Sequence, residues 1–242
     1  MYLSVRWLIL LLILALITGC AYNAEHNSRK SMPGEAFIWL LPGEQSLPHP
    51  ENIAEIKAKV ATKGKNQFEL TKDLLSYVRQ SFSYDPWYNE LMFKRSFNAL
   101  YESKTLGGCA DFALIDVALF RIFHIPARIV LTINQKWYKH NKFNENSIPH
   151  GHTFVEVYLD NQWYLIDSSY FILFKKQAVD CQSYPRGEFF LLRGTDFWDM
   201  DIKSNADLWK IINSRQIDLA KIKSKCSFEP IFRVFKDHIV HF

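Results

Sequence analysis

The chain has few cysteines, few glycines and no long apolar span. Its four cysteines, Cys20, Cys109, Cys181 and Cys226, are spread over 242 residues, too sparse for the paired framework of a disulfide scaffold. The apolar run near the start, Trp7 to Ile17, covers 11 residues, short of the about 20 that a membrane-spanning helix needs. Glycine and proline number nine each, and no internal repeat or low-complexity tract occurs, which excludes solenoid and fibrous designs. Charge of one sign is also missing. The 29 basic and 25 acidic residues give a net charge of +4, scattered and without a dense Lys/Arg cluster among aromatics. Nucleic acid is therefore not an expected partner. What is present is core material: 48% of residues are hydrophobic and 15% aromatic.

The N-terminus has a definite order. Arg6 precedes the apolar run, and Thr18-Gly19-Cys20 follows it, the basic, apolar and small-residue regions of a secretory signal. "ITGC" resembles the lipobox of bacterial lipoproteins. That resemblance implies a signal peptide over residues 1–19, lipid on Cys20, and attachment to a membrane through that anchor. Ala21, not an acidic residue, follows Cys20. In a Gram-negative cell envelope the resemblance implies the periplasmic face of the outer membrane. Thiols oxidise in such a compartment. With Cys20 lipidated, three cysteines remain, and an odd count leaves one unbridged. The simplest pairing joins Cys181 to Cys226 and leaves Cys109 free, although those two could equally be reduced.

Residues 20–50 read as a polar tether and a proline-containing lead-in, and residues 51–242 as one catalytic domain. Phe68, Leu74, Leu75, Val78 and Phe82 fall on one face of a helix over 67–83. A second helix is expected over 91–103. The stretch after Cys109 is apolar nearly all round, as in a helix buried at the centre of its domain, and Pro126 stops it. "ARIVLTI" (127–133) reads as a strand and 135–151 as a polar loop. "HTFVEVYL" (152–159) and "QWYLID" (162–167) alternate as two strands joined by Asp160-Asn161. An amphipathic helix is expected over 206–225, and a strand in the last segment. Helices first and an antiparallel sheet afterwards make the fold class α+β.

Three residues in this layout carry chemistry: Cys109 at a helix start, His152 at a strand start and Asp167 at the end of the partner strand. If Asp160 and Asn161 form the turn, Leu159 faces Gln162, and period-two alternation puts His152, Phe154 and Asp167 on one face. Diagonal neighbours lie roughly 7–8 Å apart, within reach of an imidazole–carboxylate bond. A thiolate is the nucleophile that attacks an amide, and an ordinary thiol with a pKa of about 8.5 supplies little of it at neutral pH. A helix N-terminus favours negative charge, His152 can take and return the proton, and Asp167 can fix the imidazole tautomer. The backbone N–H of Cys109 would open an oxyanion hole. Gly107 and Gly108 would let backbone and substrate approach closely.

"GGCADFALIDVALFRIFHIPARIV" followed by "HTFVEVYLDNQWYLID" resembles the transglutaminase-like superfamily. The resemblance implies a papain/transglutaminase-like core, with Cys109 as nucleophile, His152 as base, Asp167 as orienting carboxylate, and no cofactor. It departs at Phe154, where tryptophan is usual, and at Ser168-Ser169, where Pro-Thr is common. For the second oxyanion donor only Tyr84 and Trp87 suggest themselves. His150 competes with His152 as the base. Asp111 reads as compensation of the helix dipole, Glu156 as a partner for a basic side chain, and Trp137 and Trp163 as packing or groove residues. The rival readings are a zinc site from Cys109, His150, His152 and Asp167, which lacks a third close histidine, and a non-catalytic binding module. The expected reaction is hydrolysis of a peptide or isopeptide bond in a cell-envelope substrate, with transamidation as the alternative fate of the same thioester.

Overall fold

The computed structural model describes residues 34–142, 144, 147–176, 182–215, 226–235 and 238–241. The chain divides into two units, Met1–Ile38 and Trp39–Phe242. Of the first, only residues 34–38 are described, with one helical turn, Gly34–Phe37. The expected signal peptide, Cys20 and the start of the tether lie outside the described residues. The second unit is the folded domain, and it begins earlier than position 51. Gln45 and Ser46 are buried. Gln45 Nε2 donates to the carbonyls of Phe93 and Arg95, and Ser46 Oγ donates to Asp196. Polar side chains there are committed to partners in the domain, which makes the lead-in part of it.

Helices come first. Helix α1 (Pro50–Lys59) is followed by α2 (Gln67–Ser81), which Asn66 and Glu69 start with a reciprocal capping box. Two short strands, β1 (Ser83–Tyr84) and β2 (Thr105–Leu106), pair in parallel. Between them lie a 3-10 segment, Pro86–Leu91, and helix α3 (Phe97–Ser103). The helix expected over 91–103 is therefore shorter. Phe93 has φ of 70°, outside helical geometry, and Ser96 caps the new start by accepting from the Ala99 N–H. Helix α4 (Cys109–Ile122) is buried at every position after its first. A helix end buried this way needs its carbonyls and charges satisfied. At the far end the buried Arg121 guanidinium is itself satisfied, donating to the carbonyls of Ala127 and Thr195 outside the helix.

The sheet follows. Strand β3 (Ala127–Asn134) leads into α5 (Gln135–Asn141), where a polar loop was expected. Asn134 nucleates that helix by accepting from the N–H groups of Lys136 and Trp137. Strands β4 (Thr153–Leu159) and β5 (Gln162–Asp167) form the expected hairpin, with Leu159 opposite Gln162. Asp160 and Asn161 have φ of 44° and 67°, both left-handed, as a tight two-residue turn requires. Then come β6 (Ile172–Lys176), β7 (Ser183–Tyr184), β8 (Glu188–Gly194), helix α6 (Asn205–Ser214), β9 (Phe228–Val234) and β10 (Ile239–His241). Of the helix expected over 206–225, residues 216–225 lie outside the described residues. The eight strands are ordered β10-β9-β6-β5-β4-β3-β8-β7 and pair antiparallel throughout.

Alternation along the strands divides the core. Ile129, Val155, Val157 and Ile166 join the helices in the main cluster, with α4 at its centre. Val130, Phe154, Leu165 and Tyr184 form a second cluster. Helices packed beside an antiparallel sheet give the α+β class expected from the sequence.

Candidate active site

Cys109 is the first residue of α4, and Gly108 before it makes no side-chain cap. The turn is held from behind. Asp111 Oδ2 accepts from the Gly107 N–H at 2.8 Å and pairs with Arg95 Nη2 at 2.5 Å. Asp111 is thus an anchor for the turn more than a counter to the helix dipole. Gly107 is required by a close approach. A Cβ there would stand 2.4 Å from the backbone carbon of Tyr88 and 2.7 Å from the Asn89 nitrogen. The Pro86–Leu91 segment can therefore close directly over the start of α4.

His152 precedes β4, and its carbonyl accepts from the Thr132 N–H at 2.9 Å, fixing its backbone to β3. Its Nε2 lies 2.9 Å from Asp167 Oδ1. An ionised carboxylate only accepts, so Nε2 donates and Nδ1 remains for the thiol. The imidazole also meets the Phe154 ring edge-on at 4.6 Å. Asp167 is buried, and its second oxygen lies 2.9 Å from Arg186 Nη2. Cys109 Sγ lies 3.8 Å from Thr153 Oγ1. Burial works against a thiolate at Cys109, yet His152 and Thr153 beside it bring the thiol below its ordinary value. Burial also works against an imidazolium, but Asp167 and the Cys109 sulfur raise His152 to about 10. Each partner favours the charged form of the other. The direction is toward a thiolate–imidazolium pair, and such an arrangement can attack a carbonyl carbon and protonate a leaving amine.

Two cavities open on Cys109. One, of about 350 Å³, is lined by Arg79, Tyr84, Phe112, His152, Tyr170 and Arg186, among others. The other, of about 450 Å³, includes Trp87, Asn89, Ile148, Pro149 and His150. Tyr84 and Trp87 therefore both border the cleft, on different cavities. His150 borders the second and has no part in the bond to Asp167, whose imidazole partner is His152. Glu156 lies apart from the cleft, buried against Arg128 at 2.7 Å, Lys176 at 2.5 Å and Arg193 at 3.0 Å. Trp163 lies 3.8 Å under the Arg128 guanidinium, and Trp137 packs on Trp209. Among the described residues, no group of three His, Cys, Asp or Glu is arranged to hold a metal ion. Cys109 is free and Cys226 is disulfide-bonded; Cys181 lies outside the described residues. Sequence patterns missed Arg186, Thr153, Asn89 and Arg79, which reach the cleft through tertiary packing and belong to no local motif.

Residues 54–168 match the transglutaminase-like superfamily. Among solved structures, the chain is similar to a protein from Cytophaga hutchinsonii provisionally named a cysteine protease. The TM-score is 0.50 and the identity 19%, over 70% of this chain and 50% of that one. A structure named a TGase is matched with a TM-score of 0.36 and 20% identity, over 71% of this chain and 44% of that one. The chain thus spans half the length, or less, of these proteins. No curated protein matches it. The family match takes in the cysteine-bearing helix and both strands of the histidine–aspartate hairpin, and this segment of the chain, residues 54–168, is of the transglutaminase-like superfamily.

Proposed function

We propose that the protein is a thiol-dependent amide-bond enzyme that hydrolyses peptide or isopeptide bonds in the cell envelope, with lipid on Cys20 holding it at the membrane. One observation carries the chemistry. The first residue of a buried helix is a free thiol beside an imidazole whose far nitrogen donates to a buried carboxylate at 2.9 Å. In this mechanism the Cys109 thiolate attacks the amide carbon, and the carbonyl electrons move to oxygen. The backbone N–H of Cys109, at an uncapped helix start, stabilises that oxyanion. As the C–N bond breaks, His152 gives its Nδ1 proton to the departing amine and leaves a thioester on Cys109. Water then loses a proton to His152 as it attacks the thioester carbon, releasing the acid and restoring the ion pair. Asp167 keeps Nε2 protonated throughout, and Arg186 holds Asp167.

The test is alkylation of Cys109 by iodoacetamide across pH, together with amide cleavage. Wild-type Cys109 should react with a midpoint below the ordinary value of about 8.5. His152→Ala should raise the midpoint to that value or above, since burial still opposes the thiolate, and cost roughly 10²–10⁴-fold in cleavage. Asp167→Asn should cost less than His152→Ala, because a thiol–imidazole dyad survives. Cys109→Ala should abolish cleavage and leave the thermal transition in place. A wild-type midpoint near 8.5 that ignores His152 would sink the activated thiol and leave a binding module on the same scaffold. Envelope fractions from cells with wild-type and Cys109→Ala protein show which bond is processed. New peptide termini mean hydrolysis, and new amine crosslinks mean transamidation.

A further inference from the structure

The smaller cavity beside Cys109 is cationic. Arg79 and Arg186 line it together with His152, and among the described residues no carboxylate does. Both guanidiniums lie on consecutive aromatic residues. The Arg186 guanidinium is 3.6 Å from the centre of the Tyr170 ring, and that of Arg79 is 5.1 Å from the centre of Phe171. Such contacts hold a guanidinium in place while leaving its N–H edges open. Phe171 meets Phe112 edge-on at 5.7 Å, and Phe112 lies on the first turn of α4 and also borders the cavity. The rings thus tie the position of Arg79 to the helix that carries the thiol.

Charge in the cavity does not cancel. Arg186 offsets Asp167 across 2.9 Å, and the imidazolium offsets the thiolate. Arg79, at the exposed last turn of α2, adds a positive charge with no carboxylate beside it in the cavity. Building on the amide-bond enzyme proposed above, we infer that the aromatic-mounted Arg79, with Arg186 beside it, forms a carboxylate subsite that selects peptides with a free carboxylate next to the scissile amide. A guanidinium binds a planar carboxylate through two parallel N–H bonds, and a cavity of about 350 Å³ is of a size to take one such group. An acidic side chain and a chain-terminal carboxylate share this chemistry.

The experiment compares alkylation of Cys109 in the full chain by anionic iodoacetate and neutral iodoacetamide, with free cysteine as the reference. In the wild type, the iodoacetate-to-iodoacetamide rate ratio should exceed that of free cysteine and fall as salt is added. Arg79→Gln should lower the ratio about fivefold, the scale of one exposed guanidinium–carboxylate contact. Arg79→Lys should retain most of the ratio. Equal ratios in wild type and Arg79→Gln would overturn the subsite. The pH midpoint with iodoacetamide alone reports on the activated thiol in the same samples, so the two ideas fail separately. Protection of Cys109 from iodoacetamide then identifies the carboxylate. One peptide is end-blocked and contains glutamate; the other has only its terminal carboxylate. Protection by one and not the other names the source, and protection by neither overturns the assignment to peptides.

Discussion

Asp116 shows how one residue can set a pH dependence without entering the chemistry. It lies two turns beyond Cys109 on α4 and is 1% exposed. Its Oδ2 has no hydrogen-bond partner. Burial pushes its carboxyl up to about 7, against the pull of Ser168. A carboxyl raised from its unfolded value of about 3.9 contributes stability that is complete below that value. The contribution falls as pH rises and is gone above about 7. Asp116→Asn should therefore leave stability unchanged near pH 4 and raise it by a few kcal/mol at pH 8, from about 1.4 kcal/mol per pH unit of the shift. Urea midpoints at the two pH values check this, and an equal effect at both would refute it. In Glu156→Gln the sign reverses. Glu156 is fully buried among Arg128, Lys176 and Arg193, and these cations hold its carboxyl below the usual range despite burial. Neutralising it leaves buried cations uncompensated, so the expected loss is about 3–5 kcal/mol at neutral pH, read by the same urea curves. At this scale the sequence shows Cys109, His152 and Asp167 because each has a typed neighbour in the chain. It does not show Arg186, which reaches Asp167 from the turn between β7 and β8 and only once the sheet is assembled.

Elements were legible wherever a local rule decided them. The β4–β5 register follows from a two-residue turn, and the burial of α4 follows from an apolar pattern with few breaks. The rule failed where a cap or a positive φ intervened. Ser96 restarts the chain at Phe97, and Asn134 starts a helix inside a polar segment. The Pro86–Leu91 segment is exposed to a single change. It lies against Gly107, where an added methyl would meet Tyr88 and Asn89 backbone at 2.4–2.7 Å. Gly107→Ala must push that segment off the helix start, at roughly 1–3 kcal/mol for overpacking. The same movement strains the Gly107 N–H bond to Asp111 and shifts Trp87 and Asn89 at the cleft. Cleavage should therefore fall more than the thermal transition, with the iodoacetamide midpoint of Cys109 moving toward 8.5. A variant that loses stability but keeps wild-type activity and midpoint would show that the turn only packs.

For the molecule as a whole, the question is what its thiols would do in the oxidising envelope proposed for it. Cys109 is free and Cys226 is bonded, a division that protects a reactive thiol only if no spare cysteine can reach it. Cys20 would be such a spare unless it is modified. The lipid proposed for Cys20 from "ITGC" after an 11-residue apolar run would remove the thiol from exchange and anchor the chain at once. One lipid chain holds a protein only marginally, so stable anchoring through Cys20 would require a second acyl chain or another membrane contact. Cells fed a fatty-acid analogue should label the wild-type protein at Cys20. Cys20→Ala should accumulate as an unlabelled precursor with the proposed signal still attached. Unreduced, denatured wild-type protein should then take up iodoacetamide at Cys109 and not at Cys226 or Cys20. An unlabelled mature chain that starts elsewhere, or a Cys20 that alkylates, would remove both the anchor and the reason Cys109 stays single.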